Sequence, residues 1–146
     1  MGINETTFEI ILEKLKQANL NTRLKGSMFE KLSKHLLKEK DTASIYKNIY
    51  LWDEWDKKDG QDCGIDLIIQ TKDDDYIAVQ CKFYESSKVD LKDLSTYFSK
   101  LQSGVGEIKF SKGIIISTSD LTQNAKKEIE QISKNIPIEL ITLEDF

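Results

Sequence analysis

The sequence has little of what several common chemistries require. Among its 146 residues there is one histidine, His35, one proline, Pro137, and two cysteines, Cys63 and Cys81. A lone histidine argues against a multi-histidine zinc centre and against a Ser-His-Asp triad. Two cysteines without CxxC spacing exclude a disulfide scaffold and a structural zinc site, so a reducing, cytoplasmic setting is expected. No apolar run approaches the roughly 20 residues that span a bilayer. The start, MGINETTFEIILEK, lacks the basic and then apolar pattern of a secretory signal. A basic excess is missing too: 21 Lys and Arg stand against 25 Asp and Glu, a formal net charge of −4. A self-sufficient nucleic-acid binder usually has the opposite balance. That does not exclude a catalytic module whose grip on DNA comes from elsewhere. No Gly/Ser/Pro-rich linker, internal repeat or low-complexity tract divides the chain, so residues 1–146 are read as one domain.

What remains is a chain with 39% hydrophobic and 32% charged residues, the composition of a folded globular protein. Phe8, Ile11, Leu12 and Leu15 recur at helical spacing, which predicts a helix over about 4–18. Met28, Phe29, Leu32, Leu36 and Leu37 form one stripe of a second helix, from about Lys25 to Glu39. Strands are predicted over about 46–52, 65–70 and 76–83. A helix over about 90–101 carries Leu91, Leu94, Phe98 and Leu101 on one face. GIIIS, at 113–117, reads as a short strand buried on both faces. A helix over about 121–134 and a strand over 137–143 close the pattern. This order predicts an α/β fold: a mixed sheet, with an antiparallel hairpin and later βαβ units, flanked by helices on both faces.

The hairpin carries the chemistry. In DCGIDLIIQTKDDDYIAVQCKFY, side chains alternate between faces. Ile65, Leu67 and Ile69 share one face of the first strand, and Asp66, Ile68 and Gln70 the other. In the second strand Ala78, Gln80 and Lys82 share a face opposite Val79 and Cys81. A turn centred on position 73 sets Asp66 opposite Gln80, and one centred on 74 sets it opposite Lys82. Both centres fall in the polar break Lys72–Asp75. Directly opposed residues have Cβ atoms about 4.5–5.5 Å apart, so either register draws the three polar groups together. Two readings follow. One is an ordinary cross-strand Asp–Lys pair on a solvated face. The other is a site: a carboxylate, an amide oxygen and the Cys81 carbonyl suit a hard divalent cation. The lysine beside them would orient a water and offset charge developing on a phosphoryl group.

Asp66 followed by Gln80-x-Lys82 resembles the signature of the PD-(D/E)xK nucleases, which have the restriction-endonuclease-like fold. The form with glutamine is similar to the Mrr-like branch, in which GxD, QxK and a glutamate on a preceding helix make up the site. Here these are Gly64-Ile65-Asp66, Gln80-Cys81-Lys82 and, within Gly26-Ser27-Met28-Phe29-Glu30, Glu30. The strings LWDEWDKKDGQDCGIDLI, AVQCKFY and IIISTSD look closest to the N-terminal nuclease domain of single-polypeptide type I (type ISP) restriction–modification enzymes and related helicase-linked nucleases. The resemblance runs from about Gly26 to Phe146. Ile65 stands where the name motif has proline, and Gln80 replaces an acid, which removes one negative charge from the site.

The resemblance implies a Mg²⁺-dependent DNA endonuclease domain, with Mn²⁺ able to substitute. The metal would be held by Asp66, Gln80, the Cys81 carbonyl and Glu30, and Lys82 would position the attacking water. It implies double-stranded DNA as partner and a longer chain carrying translocase or helicase and methyltransferase domains, with no membrane association. The alternative is a catalytically silent nucleic-acid-binding or protein-interaction module of the same fold. Helix phase agrees with a role for Glu30: it lies seven residues from Leu37, so the two project within about 20° of each other. Blander roles are expected elsewhere. His35 is read as surface, Cys81 as a packing residue, and Asp73–Asp75 as a solvated turn. Asp59 and Asp62 are read as loop, and Trp52 and Trp55 as packing residues. Ser117, Thr118 and Ser119 follow the buried strand, where they would meet phosphate or cap the next helix, with Ser119 or Asp120 as the cap.

Overall fold

A computed structural model describes residues 2–58, 64–85 and 87–142, with side chains from residue 9 onward. Asp59, Asp62, Cys63, the Phe8 side chain and the end of the expected last strand lie outside the described residues. Two helices come first, α1 (Gly2–Gln17) and α2 (Thr22–Lys40). Then follow β1 (Tyr46–Leu51), a short 3₁₀ turn (Trp52–Glu54), β2 (Leu67–Thr71), β3 (Tyr76–Lys82), α3 (Leu91–Ser103), β4 (Phe110–Ser117), α4 (Gln123–Ser133) and β5 (Ile138–Thr142). Asn21 starts α2, its side chain accepting from the Leu24 N–H at 2.8 Å. At the start of α3 the Asp93 side chain accepts from the Asp90 N–H, while the Asp93 N–H donates to the Asp90 backbone carbonyl.

The five strands lie in the order β1-β2-β3-β4-β5. β1, β2 and β3 are antiparallel neighbours, whereas β4 runs parallel to both β3 and β5. The two parallel joins require crossovers, which α3 and α4 provide. Alternation along the strands divides the core in two. Leu67, Ile69, Ile77, Val79, Cys81, Ile114 and Ile116 pack with α1 and α2 on one face. Ile68, Ala78 and Ile115 pack with α3 and α4 on the other. The mixed sheet with helices on both sides is therefore as the sequence pattern predicts.

Three details differ from the sequence reading. Met28 is 48% exposed, because α2 seats on the sheet through Phe29, Leu32, Leu36 and Leu37, which leaves Met28 on the flank. Ile11 is 44% exposed for the same kind of reason, since α1 buries Leu12 and Leu15 instead. Ile65 precedes β2 and packs with the Ile68 cluster, not with Leu67 and Ile69. The strict alternation of a strand does not extend back to it.

Candidate active site

The register of the hairpin is settled by its pairs, Leu67 with Val79, Ile68 with Ala78, Ile69 with Ile77 and Gln70 with Tyr76. The turn is centred on 73, the register expected to bring Asp66 to Gln80; the regular ladder ends at Leu67, and Asp66 meets Gln80 through its side chain. Asp66 is held from both sides although it precedes β2. Its N–H donates to the Val79 carbonyl and its own carbonyl accepts from the Trp52 N–H, each at 2.9 Å.

The Asp66 carboxylate is then fixed by the neighbouring strand. Oδ2 accepts from the Cys81 backbone N–H at 2.7 Å and from the Gln80 amide at 2.5 Å. The Gln80 amide also donates to the Cys81 carbonyl at 3.2 Å. Gln80 is a buried polar side chain, 4% exposed, and these bonds satisfy it. Both of its partners are acceptors, so the amide must present its nitrogen to them, and Oε1 faces elsewhere. Three oxygen-bearing groups thus meet at one point where β2 starts and β3 ends.

Lys82 and Glu30 border the same open cleft, of about 450 Å³, together with Asp66, Gln80 and Cys81. Glu30 reaches it from α2, and the far wall comes from Asp93, Thr96 and Tyr97 of α3. All the residues expected at the site are therefore gathered. Lys82 forms no ion pair with a described residue, and its carbonyl is anchored by the Thr118 N–H at 3.1 Å. Among the described residues no group of three or more His, Cys, Asp or Glu side chains could hold a metal ion. A cation here would depend on the Gln80 amide and the Cys81 carbonyl as much as on acids.

Sequence reasoning missed the α3 wall, because nothing local in the hairpin names the helix that covers it. Tyr97 ties that wall to the sheet: its hydroxyl donates to the Ala78 carbonyl at 2.8 Å, and burial pushes its pKa up. Asp93 accepts from the Asp90 N–H at 2.9 Å, and its hydrogen bond and charge add to burial in raising the Tyr84 phenol. Gly64 closes the wall. Its φ is +83°, and a Cβ there would lie 2.7 Å from the Tyr97 backbone nitrogen. Left-handed backbone costs another residue about 1–2 kcal/mol, before any clash. Gly64→Ala is expected to destabilise the fold by at least about 2 kcal/mol, read as a lower midpoint in urea. An unchanged midpoint would contradict this close approach of the loop to α3.

The remaining candidates take the quieter roles. Cys81 turns its side chain to the α2 side of the sheet, where burial, and then the Asp66 charge, push its thiol well above the ordinary range. It is no thiolate nucleophile. His35 is exposed, 3.7 Å from Glu39. Trp52 and Trp55 are buried, their rings 5.6 Å apart. Asp73, Asp74 and Asp75 form the exposed turn, with Asp74 at φ +63°. The expected cap of the helix after β4 is corrected: α4 begins at Gln123, and its cap is Thr122, which accepts from the Ala125 N–H. Ser119 and Asp120 precede that position. The hydroxyls of Ser117 and Thr118 are engaged, Ser117 with Ser119 and Thr118 with Tyr84.

This sheet, with its carboxylate, amide and lysine at the open end of a hairpin, is a restriction-endonuclease-like α/β fold. Residues 37–146 match a restriction endonuclease family (Mrr_cat_2), and the chain belongs to that family. The match begins after Glu30, so the place of that residue rests on geometry. Among solved structures, the MspJI restriction endonuclease in complex with a 27-mer oligonucleotide is similar. It has a TM-score of 0.60 and 18% identity, over 95% of this chain and 29% of that one. A protein of unknown function, AF1548, is similar at a TM-score of 0.52 and 18% identity, over 76% of this chain and 54% of that one. The chain thus spans about half or less of the length of these two. At such identities the likeness concerns the fold. No curated protein matches the sequence.

Proposed function

We propose that the chain is a DNA endonuclease domain that hydrolyses phosphodiester bonds with Mg²⁺. The observation that carries this reading is the meeting of Asp66, Gln80 and the Cys81 carbonyl beside Lys82, which forms no ion pair with a described residue, in a cleft shared with Glu30. The donor set fits a hard cation, which prefers carboxylate, amide and carbonyl oxygens. Asp66, Glu30 and the Cys81 carbonyl would hold it, joined by Gln80 once its amide turns over to bring Oε1 in place of the Nε2 that donates to Asp66 and the Cys81 carbonyl. When bound, such an ion polarises the phosphoryl oxygens and makes water more acidic. Lys82 has the simpler tasks of orienting the attacking water and balancing charge that builds on the phosphate. Gln80 lowers the negative charge of the site relative to an acid, which gives Glu30 more weight in holding a cation.

Double-stranded DNA is the proposed substrate, and MspJI, bound to an oligonucleotide, supports that choice through its fold. A net charge of −4 suits a cleavage module delivered to DNA by other parts of a longer restriction–modification or helicase-linked enzyme. A silent module of the same fold is a second reading, favoured by the neutral Gln80 and by the lack of a three-acid cluster among the described residues. Supercoiled plasmid separates the two. With Mg²⁺ or Mn²⁺ at low salt, nicked or linear DNA is expected to accumulate, to stop on adding EDTA, and to resume when the metal is restored. Intact plasmid under every metal condition would favour the silent module.

A further inference from the structure

Glu30 and Asp66 border a second lobe of the cleft, of about 530 Å³, on the side away from α3. Arg23 and Lys31 stand on its α2 wall, and neither forms a hydrogen bond or ion pair with a described residue. Among the described residues Asp53 is the one further acid on its lining, beside Glu30 and Asp66. Among the described residues the two lobes therefore differ in charge: one carries Arg23 and Lys31, whereas the α3 lobe carries Asp93 and, apart from Lys82, no cation.

Between Arg23 and Glu30 lies Gly26, three residues from one and four from the other, on the same face of α2. Glycine is a poor residue for the inside of a helix. Here the fold gives no reason for it: its φ is not positive, and a Cβ built on it would meet nothing within 4 Å. What it does leave is bare backbone facing the lobe, which lets another chain approach closely. Arg23 and Glu30 are two turns apart, about 10.5 Å along the axis. That matches roughly three nucleotides of one strand at about 3.4 Å each.

We propose that one strand of the substrate lies along this ridge, its backbone crossing α2 at Gly26, with Arg23 and Lys31 holding phosphates on one side of the bond to be cut. The inference rests on the endonuclease reading and adds to it a path and a direction. The DNA is gripped on the α2 side of the scissile phosphate and left loose on the α3 side.

Binding of a short fluorescent duplex, with Ca²⁺ in place of Mg²⁺, tests it by anisotropy across a salt series. Gly26→Leu is expected to melt at or above the wild-type temperature, because leucine favours helix and meets open space. The same variant is expected to bind the duplex roughly ten- to a hundredfold more weakly. The Arg23→Ala/Lys31→Ala double variant is expected to flatten the dependence of log affinity on log salt by about 1.8. Calorimetry should find Ca²⁺ affinity unchanged in both. A Gly26→Leu protein that melts early would assign the glycine to the fold and overturn the track. So would variants that match the wild type in affinity and salt slope. A wild-type protein that nicks plasmid with Mg²⁺ yet binds no duplex at low salt would overturn the track alone; one that does neither would overturn the endonuclease reading as well.

Discussion

Lys82→Ala is expected to reduce DNA cleavage by about a hundredfold or more, while thermal stability stays within about 0.5 kcal/mol of wild type. The ammonium group of Lys82 forms no ion pair with a described residue, so the fold loses little when it is removed. What holds this end of β3 is its backbone, through Thr118, and alanine keeps that bond. The measurement is the rate of plasmid nicking beside a melting curve. Cleavage at the wild-type rate would remove Lys82 from the mechanism. A large loss of stability would mean that the residue serves the fold instead.

Asp66→Ala is expected to abolish cleavage and also to cost the fold about 3 kcal/mol. Its Oδ2 takes two hydrogen bonds, one from the Cys81 N–H and one from the buried Gln80 amide. Bonds to a charged acceptor contribute about 1.5–3 kcal/mol each, and removing the acceptor strands both donors. For a domain of this size the melting temperature should fall by about 10 °C. Asp66→Asn separates the two roles. Its amide oxygen still accepts from one or both donors, so much of the stability should return while cleavage stays lost. If the asparagine variant cuts DNA as well as wild type, the carboxylate is structural only. If the alanine variant is as stable as wild type, those two hydrogen bonds contribute nothing.

Much of the fold was legible because its elements have strong local signals. The GIII run of β4 is buried throughout, as a central parallel strand requires. The stripe Phe29, Leu32, Leu36 and Leu37 fixed the buried face of α2, and with it the phase of Glu30. Met28 was misplaced because a stripe five residues wide has an edge, and only the partner surface decides which edge residue is covered. The cap of α4 was misplaced because Ser119, Asp120 and Thr122 can all cap a helix, and the choice depends on where the chain leaves the sheet.

For the candidate site, the sequence alone determined that Gln80 and Lys82 share one side of β3, since alternation along a strand is a property of the backbone. It also placed Asp66 within reach of that pair in either register. Only the tertiary structure decided between the two. The turn is centred on Asp73, with Asp74 at φ +63° and Asp75 bonded back to Thr71, and β1 pairs with the other edge of β2. The four polar residues of the break suit both turns, so the selection comes from what the whole sheet can pair. Tertiary packing likewise brought Glu30 from α2 and the wall from α3 to the end of that hairpin. No local pattern encodes a distance between elements far apart in sequence. It follows from which apolar faces must be covered at once, and here covering both faces of one sheet leaves the cleft at the end of β3.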